Sequence, residues 1–194
     1  MDGQWVAVIA GAVVVYLVYD TYFTANMDWV KSTIDDNSYK VRDLPDKQIA
    51  ADLLAQIRER CERLIAHLVK TDPEDKRTER LVTGFKPEKI SEGTDNKNYT
   101  SYSINKGERI VFCLRSRKKT TNDRPEDVNT LMFVALHELA HICTTEVGHT
   151  QSFWDNFKRL LEEAIAVGVY IKEDYQHHPK EYCGVDITSS PMDT

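Results

Sequence analysis

One segment of the sequence combines a strong helix start with two histidines four positions apart, and it constrains the fold more than any other feature. Residues 123–127 (DRPED) place a proline and acidic side chains where they favour the first turn of a helix and its dipole. Apolar residues then recur at helical spacing from Val128 to Ala140. On such a helix, His137 and His141 project from the same side, one turn apart.

The two histidines and the glutamate between them have the spacing of a zinc site with a catalytic base. Imidazoles at positions i and i+4 of a helix can both reach one Zn²⁺ at about 2.0 to 2.1 Å. Glu138 follows the first histidine, so its carboxylate can reach a water at the metal without being a ligand, as in the HExxH motif. With 6 His in 194 residues, chance would produce about 0.01 such matches per chain. Coincidence is therefore a poor explanation of the motif.

A third histidine follows at a turn. Gly148 favours a helix stop that reverses the chain, His149 comes next, and Thr150 can cap a second amphipathic helix. A side chain at this position can fold back towards the first two imidazoles, so His149 is the predicted third ligand. The competing candidates are Glu162 and Glu163 on the second helix, which could supply a carboxylate. Both stand between apolar pairs, so we expect them to face solvent.

Outside this region the sequence predicts two further helices and a hairpin. Residues 45–70 repeat apolar side chains every three or four positions, which predicts a long amphipathic helix, and a shorter helix ends at Gly84. Two β-prone runs, 99–104 and 109–114, flank the turn-forming residues 105–108.

The N-terminal segment is apolar enough to predict a membrane anchor. Residues 3–19 contain no charge and would form about 26 Å of helix, and extension to residue 23 gives about 31 Å, which spans a bilayer. Aromatic residues near both ends resemble an interfacial belt. We therefore predict an uncleaved transmembrane helix over residues 1–23. The alternative is a buried hairpin or core strand, because β-branched residues are frequent there.

The remaining division of the chain follows from its polarity. Residues 24–44 are mixed and polar, which is typical of a linker. Residues 45–194 are expected to form the folded domain. Basic residues that follow the apolar segment favour a cytosolic location of that domain.

Composition and charge argue against some classes of protein. With 41% hydrophobic and 29% charged residues, the chain can build a core and is not typical of a disordered protein. A net charge of −6 disfavours a non-specific nucleic-acid binder, which usually has a basic surface. The four widely spaced cysteines are compatible with two disulfides or with four buried thiols. The tendency of free cysteine to pack as a small hydrophobe favours buried thiols.

The stretch HELAHICTTEVGHTQSFW resembles the zincin metallopeptidases, in particular the compact WLM and SprT-like domains. The elements SYSINKG, CLRSR and YCG extend a similarity to small WLM-like metallopeptidases of large DNA viruses over residues 41–191. This resemblance implies Zn²⁺ as the cofactor and Glu138 as the catalytic base. The implied zinc ligands are His137, His141 and His149. It also implies an α+β fold, a compact zincin-like domain in which a short antiparallel sheet covers the HExxH helix.

The fold implied by the resemblance also indicates how a substrate would be handled. An edge strand lines the cleft, and the run 109–114 is the candidate edge, where an extended peptide can add by main-chain hydrogen bonds. The catalytic base would take a proton from the attacking water and return it to the leaving amine. The candidate oxyanion donor is Tyr182, and its alternatives are Tyr170, His177 and His178.

These features together predict a membrane-anchored zinc-dependent endopeptidase that hydrolyses peptide bonds with a zinc-activated water. The expected partners are a protein or peptide substrate and a membrane, with no strong nucleic-acid signal and with the oligomeric state left open. The expected location is a single-pass membrane protein, with a viral or virion membrane as a candidate and its orientation left open. The alternatives are a non-catalytic zinc-containing structural protein of a membrane or viral particle, and a soluble protease of the type that repairs DNA–protein crosslinks.

Overall fold

The computed structural model describes residues 26–94, 100–117 and 125–193, together with residues 5, 8, 9 and 11–15. The architecture is α+β, as the resemblance implies. In chain order the elements are β1 (Met27–Lys31), β2 (Ser38–Arg42), α1 (Lys47–Thr71), α2 (Lys76–Gly84), a 3-10 turn (Pro87–Lys89), β3 (Ile90–Glu92), β4 (Tyr102–Ile104), β5 (Arg109–Phe112), α3 (Val128–Cys143), α4 (Gln151–Ala166), β6 (Lys180–Tyr182) and β7 (Val185–Ile187).

A five-stranded sheet with the strand order β1-β2-β3-β5-β4 is the framework of the domain. The outer pairs β1–β2 and β4–β5 are antiparallel, whereas β3 runs parallel to both of its neighbours, β2 and β5. The predicted antiparallel sheet is therefore wrong, and the sheet is mixed. The reason is that α1 and α2 carry the chain back across the sheet between β2 and β3, which makes these strands parallel. A separate antiparallel hairpin, β6–β7, follows α4.

The segment 24–44, predicted as a linker, supplies the first two strands of this sheet. In β2 the side chains alternate, so that Tyr39 and Val41 are buried while their neighbours are partly or fully exposed. Between the strands, the Ser32 hydroxyl donates a hydrogen bond to Asp52 of α1 at 2.8 Å. The polar residues thus close a hairpin against α1, and the linker prediction is corrected for both strands.

At the β4–β5 hairpin, the edge strand of the sheet is β4 rather than β5. The predicted edge, 109–114, contains β5, which lies between β3 and β4 and has three of its four residues buried. In β4, at the end of the strand order, Tyr102 and Ile104 are exposed. The predicted hairpin is confirmed, but its edge assignment is wrong. The reason is that β3, from an earlier part of the chain, pairs with the free side of β5. The local sequence pattern of the hairpin does not reveal this pairing.

The predicted helices are present, and their apolar faces build the core. The helix predicted over residues 45–70 spans Lys47–Thr71, and Leu54 and Leu68 on its apolar stripe are fully buried. It packs against β2, β3 and α3. The shorter helix α2 ends at Gly84, as predicted, and also packs against α3. Helix α3 is therefore enclosed on several sides.

The predicted membrane-spanning helix is wrong for the part of the chain that the structure describes. Among those residues, no helix combines the length and the apolar character needed to cross a bilayer. The described positions of the predicted anchor are residues 5, 8, 9 and 11–15. The other positions of the predicted anchor, residues 1–23, lie outside the described residues. The single-pass membrane location that depended on this helix is corrected with it.

One disulfide links the end of β5 to the C-terminal hairpin. Cys113 follows β5 directly, Cys183 lies in the β6–β7 turn, and their Cα atoms are 6.3 Å apart. Cys61 and Cys143 are buried thiols. The expectation of four buried thiols is therefore confirmed for two cysteines and wrong for the other two. Pairing across a sequence separation of 70 depends on tertiary structure, which cysteine spacing alone does not show.

Replacing both linked cysteines, in Cys113→Ser/Cys183→Ser, should lower the free energy of unfolding by about 2 to 4 kcal/mol, because the cross-link restricts a long loop of the unfolded chain. Urea unfolding in non-reducing buffer measures this loss. Wild-type protein in reducing buffer is the matched control and should unfold at the same midpoint as the variant. Equal midpoints for the oxidised wild type and the variant would contradict the assigned disulfide.

Candidate active site

Helix α3 carries the first two histidines through the core of the domain. Asp127 caps its N-terminus, where the carboxylate accepts hydrogen bonds from the backbone N–H groups of Asn129 and Thr130, both at 3.0 Å. Most of the helix is buried, and its last two turns present His137 and His141 as half-buried side chains. Because the core fixes the helix, it also fixes the positions of these two imidazoles.

The structure brings the third predicted histidine to the first two. The Nε2 atoms of His149 and His137 are 3.1 Å apart. The ring centroids of the three imidazoles, including His141, lie 4.9 to 5.0 Å from one another. One potential ligand atom from each residue lies within 4.8 Å of the other two. The three side chains therefore form a compact group, called here the histidine cluster.

A short loop between α3 and α4 carries His149 to this position. Gly148 has a φ of +87°, in the left-handed region that glycine adopts without strain. The Thr150 hydroxyl accepts a hydrogen bond from the backbone N–H of Phe153 at 3.4 Å and so caps α4. The reversal and the cap predicted from the sequence are both present. They place His149 between two helices that pack against each other.

The histidine cluster rests on the aromatic ring of Phe153, which is fully buried in α4. The ring centroid of Phe153 lies 4.9 Å from His137, 4.4 Å from His141 and 4.6 Å from His149. The ring of Trp154 lies beside His149, at 5.6 Å. Apolar rings therefore close one side of the cluster and limit the approach of water and ions from that side.

Both helical histidines are held in the neutral form that metal binding requires. Burial, followed by the charges of His141 and His149, lowers the pKa of His137 to about 3. Burial, followed by His149 and Lys106, lowers the pKa of His141 to about 4. At neutral pH these two rings therefore have a nitrogen lone pair available for a metal ion.

Glu138 is almost fully buried on the side of α3 that faces the edge strand β4. Its exposed fraction is 4%, and both the side chain and the backbone of Ser103 in β4 form hydrogen bonds with its carboxyl group. Burial raises the pKa of Glu138 to about 7, while the hydrogen bonds from Ser103 oppose this rise. A carboxyl group with a pKa near neutrality can both accept and release a proton.

The histidine cluster suits a zinc ion by its chemistry and its spacing. Zinc binds imidazole nitrogens at about 2.0 to 2.1 Å in a tetrahedral arrangement, which separates neighbouring ligand atoms by about 3.3 Å. The 3.1 Å between the Nε2 atoms of His137 and His149 is close to this value. Three protein ligands also leave a fourth position for water, as catalytic zinc sites require.

Neither glutamate of α4 joins the cluster. The carboxylate of Glu163 lies 3.0 Å from Nε2 of His67 on α1, and Glu162 is exposed. Within the described residues, the group of potential metal ligands consists of the three histidines. The geometry therefore favours His149 over both glutamates as the third ligand.

The predicted oxyanion donor, Tyr182, is buried and hydrogen-bonded within the fold. Its hydroxyl donates to the carbonyl oxygen of Cys113 at 2.8 Å and lies 2.5 Å from Oγ of Ser101. Among the alternatives, Tyr170 is buried against another tyrosine hydroxyl, and His177 contacts a neighbouring aspartate at the surface. His178 is exposed. These contacts assign none of the four to the reacting centre, so the role of Tyr182 stays a prediction.

Two polar residues around the site are not among the residues predicted from the sequence. Ser103 contacts the carboxyl group of Glu138, and Lys106 contacts the backbone of the loop that carries His149. Both belong to the hairpin element SYSINKG, which contributes to the family resemblance. This sequence element could have indicated both residues. It lies far from the histidines in sequence, so their proximity to the site was not predicted.

Comparisons with known proteins place most of the chain in one family. The WLM domain matches residues 34–192. An uncharacterised protein of Acanthamoeba polyphaga mimivirus is 36% identical over 163 residues, which are 82% of this chain and 81% of that protein. An uncharacterised protein of Invertebrate iridescent virus 6 is 41% identical over 83 residues, which are 43% of this chain and 44% of that protein. The chain is therefore similar to proteins of large DNA viruses.

Among solved structures, the crystal structure of Wss1 from Saccharomyces cerevisiae is similar to this chain with a TM-score of 0.47 and 20% identity. The similarity covers 64% of this chain and 83% of that one.

The substitution His149→Ala should weaken zinc binding by at least about 10- to 100-fold. Losses of that size are typical when a group that only supports a ligand is removed. The reason is that His149→Ala removes one of three clustered nitrogens. Competition with a chromophoric chelator measures the affinity. Glu163→Gln is the control and should bind zinc like the wild type, because Glu163 contacts His67 instead of the cluster. Wild-type affinity in His149→Ala, with a loss in Glu163→Gln, would show that the ligand assignment is wrong.

Proposed function

Since this chain belongs to the WLM domain family, we propose that it is a zinc-dependent endopeptidase that hydrolyses peptide bonds in proteins or peptides. The observation that carries this proposal is the histidine cluster itself, together with buried Glu138 directly after its first member on α3. His137, His141 and His149 would hold the zinc ion. When bound, zinc supplies polarisation of the scissile carbonyl and a lower pKa of the attacking water.

Glu138 is the proposed base of the reaction. It follows His137 on α3 and is not a member of the cluster, so its carboxyl group would act on a water at the metal without being a ligand. Its carboxylate oxygen would accept a proton from the attacking water and then deliver that proton to the nitrogen of the leaving amine. Ser103, the hydrogen-bonding neighbour of this carboxyl group on β4, would orient it for both transfers.

The proposed binding surface for a peptide is the edge strand β4. An edge strand can accept an extended segment through main-chain hydrogen bonds, which gives affinity with little sequence preference. The side chains of Tyr102 and Ile104 are exposed on this strand and could contact neighbouring side chains of the substrate. Ser103, between them, contacts Glu138. A peptide on this edge would therefore have its backbone close to the base.

Tyr182 is retained as the proposed oxyanion donor, which requires a change of hydrogen-bond partner. In the fold its hydroxyl donates to the carbonyl oxygen of Cys113. That hydroxyl would have to turn from Cys113 to the developing oxyanion of the substrate to act as a donor in the reaction. Burial raises the pKa of Tyr182, so its hydroxyl keeps its proton at neutral pH.

The arrangement favours a catalytic zinc site over a purely structural one. Structural zinc sites usually have four protein ligands. Within the described residues the potential ligand group contains three histidines, and buried Glu138 follows the first of them on α3. The net charge of −6 also favours a protein or peptide substrate over direct binding to nucleic acid.

The substitution Glu138→Gln should leave zinc binding intact and reduce peptide hydrolysis by about 10²- to 10⁴-fold, because it removes the proton acceptor and keeps the shape of the side chain. Cleavage of a peptide library, followed by mass spectrometry, measures the activity. Glu163→Gln is the matched control, since the same chemical change lies away from the cluster. Equal cleavage by Glu138→Gln and the wild type, both loaded with zinc, would reject the proposed role.

A further inference from the structure

We infer that Lys106 is a positioning residue for His149 and acts through the backbone that leads to this ligand. The inference rests on the zinc site of the proposed function. Lys106 lies in the β4–β5 turn, far in sequence from the histidine cluster. Its ammonium group donates hydrogen bonds of 2.5, 2.6 and 3.1 Å to the carbonyl oxygens of Thr144, Thr145 and Glu146.

These three hydrogen bonds form what we call the carbonyl clamp. An ammonium group has three N–H donors, and here they meet three consecutive acceptors. The acceptors belong to the three residues that follow Cys143, the last residue of α3, where the helix no longer supplies partners and a lysine can. Hydrogen bonds from a charged donor are also stronger than those between neutral groups. Only Val147 and Gly148 separate the clamp from His149, so it controls the path of the chain close to the ligand.

The loop after α3 has little apolar packing of its own. Residues 145–149 are exposed, and Val147 is 90% exposed. From α4, Asn156 and Ser152 donate hydrogen bonds to side chains of the loop, at 2.9 and 3.2 Å. Lys106 instead binds the backbone itself. Polar contacts therefore hold the exposed residues of the loop, and the clamp supplies three hydrogen bonds to its main chain.

The turn that carries Lys106 is held firmly against the helices. Gly107 has a φ of +101°, and a Cβ atom there would lie 2.5 Å from Cδ1 of Ile142 and 2.6 Å from the carbonyl oxygen of Gly84. The turn thus packs directly on α3 and on the end of α2. Because its backbone is fixed in this way, the turn gives the ammonium group of Lys106 a defined starting point.

Two effects of Lys106 on zinc affinity have opposite signs, which makes the inference testable. The clamp favours zinc binding because it holds His149 in place before the metal arrives. The charge opposes zinc binding because an ammonium group repels a cation. The ammonium group of Lys106 lies close to the chain that leads to His149, because it binds carbonyl oxygens three to five residues before that histidine. Removing Lys106 should weaken zinc binding if positioning dominates and strengthen it if charge dominates.

The experiment measures the Kd of full-length variants for Zn²⁺ by competition with a chromophoric chelator. Lys106→Met should weaken zinc binding by about 10- to 100-fold, the effect typical of groups that orient a ligand. Lys106→Arg keeps the charge and the donors and should recover most of the affinity. Lys86→Met is the matched control, because Lys86 donates to the carbonyl oxygen of Thr83, near the end of α2, at 2.8 Å. It should bind zinc like the wild type.

A double-variant cycle separates this inference from the proposed function. In the His149→Ala background, Lys106→Met should cause no further loss, since the ligand through which it acts is already gone. A wild-type protein that does not bind zinc would overturn the proposed site itself. Zinc binding by the wild type, with equal or tighter binding by Lys106→Met, would overturn the inference and leave the proposed site standing. If Lys106→Met weakened zinc binding as much in the His149→Ala background as in the wild type, that result would also overturn the inference.

A comparison of metal-free proteins excludes a general loss of structure. Without zinc, Lys106→Met and Lys86→Met should unfold at similar temperatures. If Lys106→Met fails to fold, Lys106→Gln replaces it in the cycle, because the amide keeps N–H donors without the charge. The same dependence on His149 is expected there, and equal losses in both backgrounds would overturn the inference.

Discussion

The burial of α3 is the constraint on which the candidate active site depends. Leu136 and Leu139 are fully buried, and the helix packs against α1, α2 and α4. This packing fixes the rotation of the helix about its axis. Side chains four positions apart then share one side, so His137 and His141 lie together. Glu138, one position later, is turned by about 100° and meets β4. The core thus determines the relative positions of the two proposed ligands and the proposed base.

The proposed third ligand, His149, is held by a different kind of interaction. His149 lies at the end of an exposed loop. Its ring packs on Phe153 and Trp154, whereas hydrogen bonds from Lys106 hold the backbone that leads to it. Segments with exposed backbone and few apolar contacts open more easily than a buried helix. The candidate site therefore combines two histidines fixed on α3 with a third, His149, whose position depends on Lys106 and on α4. In the proposed zinc site, the affinity for the metal would depend on the order of the loop as well as on the identity of the ligands.

The part of the site that a single helix and its following turn determine could be predicted from the sequence. The HELAH spacing, the reversal at Gly148 and the cap at Thr150 are local properties, and all are present. The strand order, the link between Cys113 and Cys183 and the contacts of Lys106 could not be predicted, because they join residues distant in sequence. The strands in segment 24–44 have five residues each, and the polar residues around them resemble a linker. Their strand structure depends on pairing within the sheet.

The most direct test of the central claim is X-ray absorption spectroscopy of the full-length protein loaded with one equivalent of Zn²⁺. The technique reports the type, number and distance of the atoms bound to the metal. The expected result is three imidazole nitrogens and one oxygen from water, at about 2.0 to 2.1 Å. A sulfur ligand, or a protein carboxylate in place of one imidazole, would contradict a three-histidine site with an open fourth position.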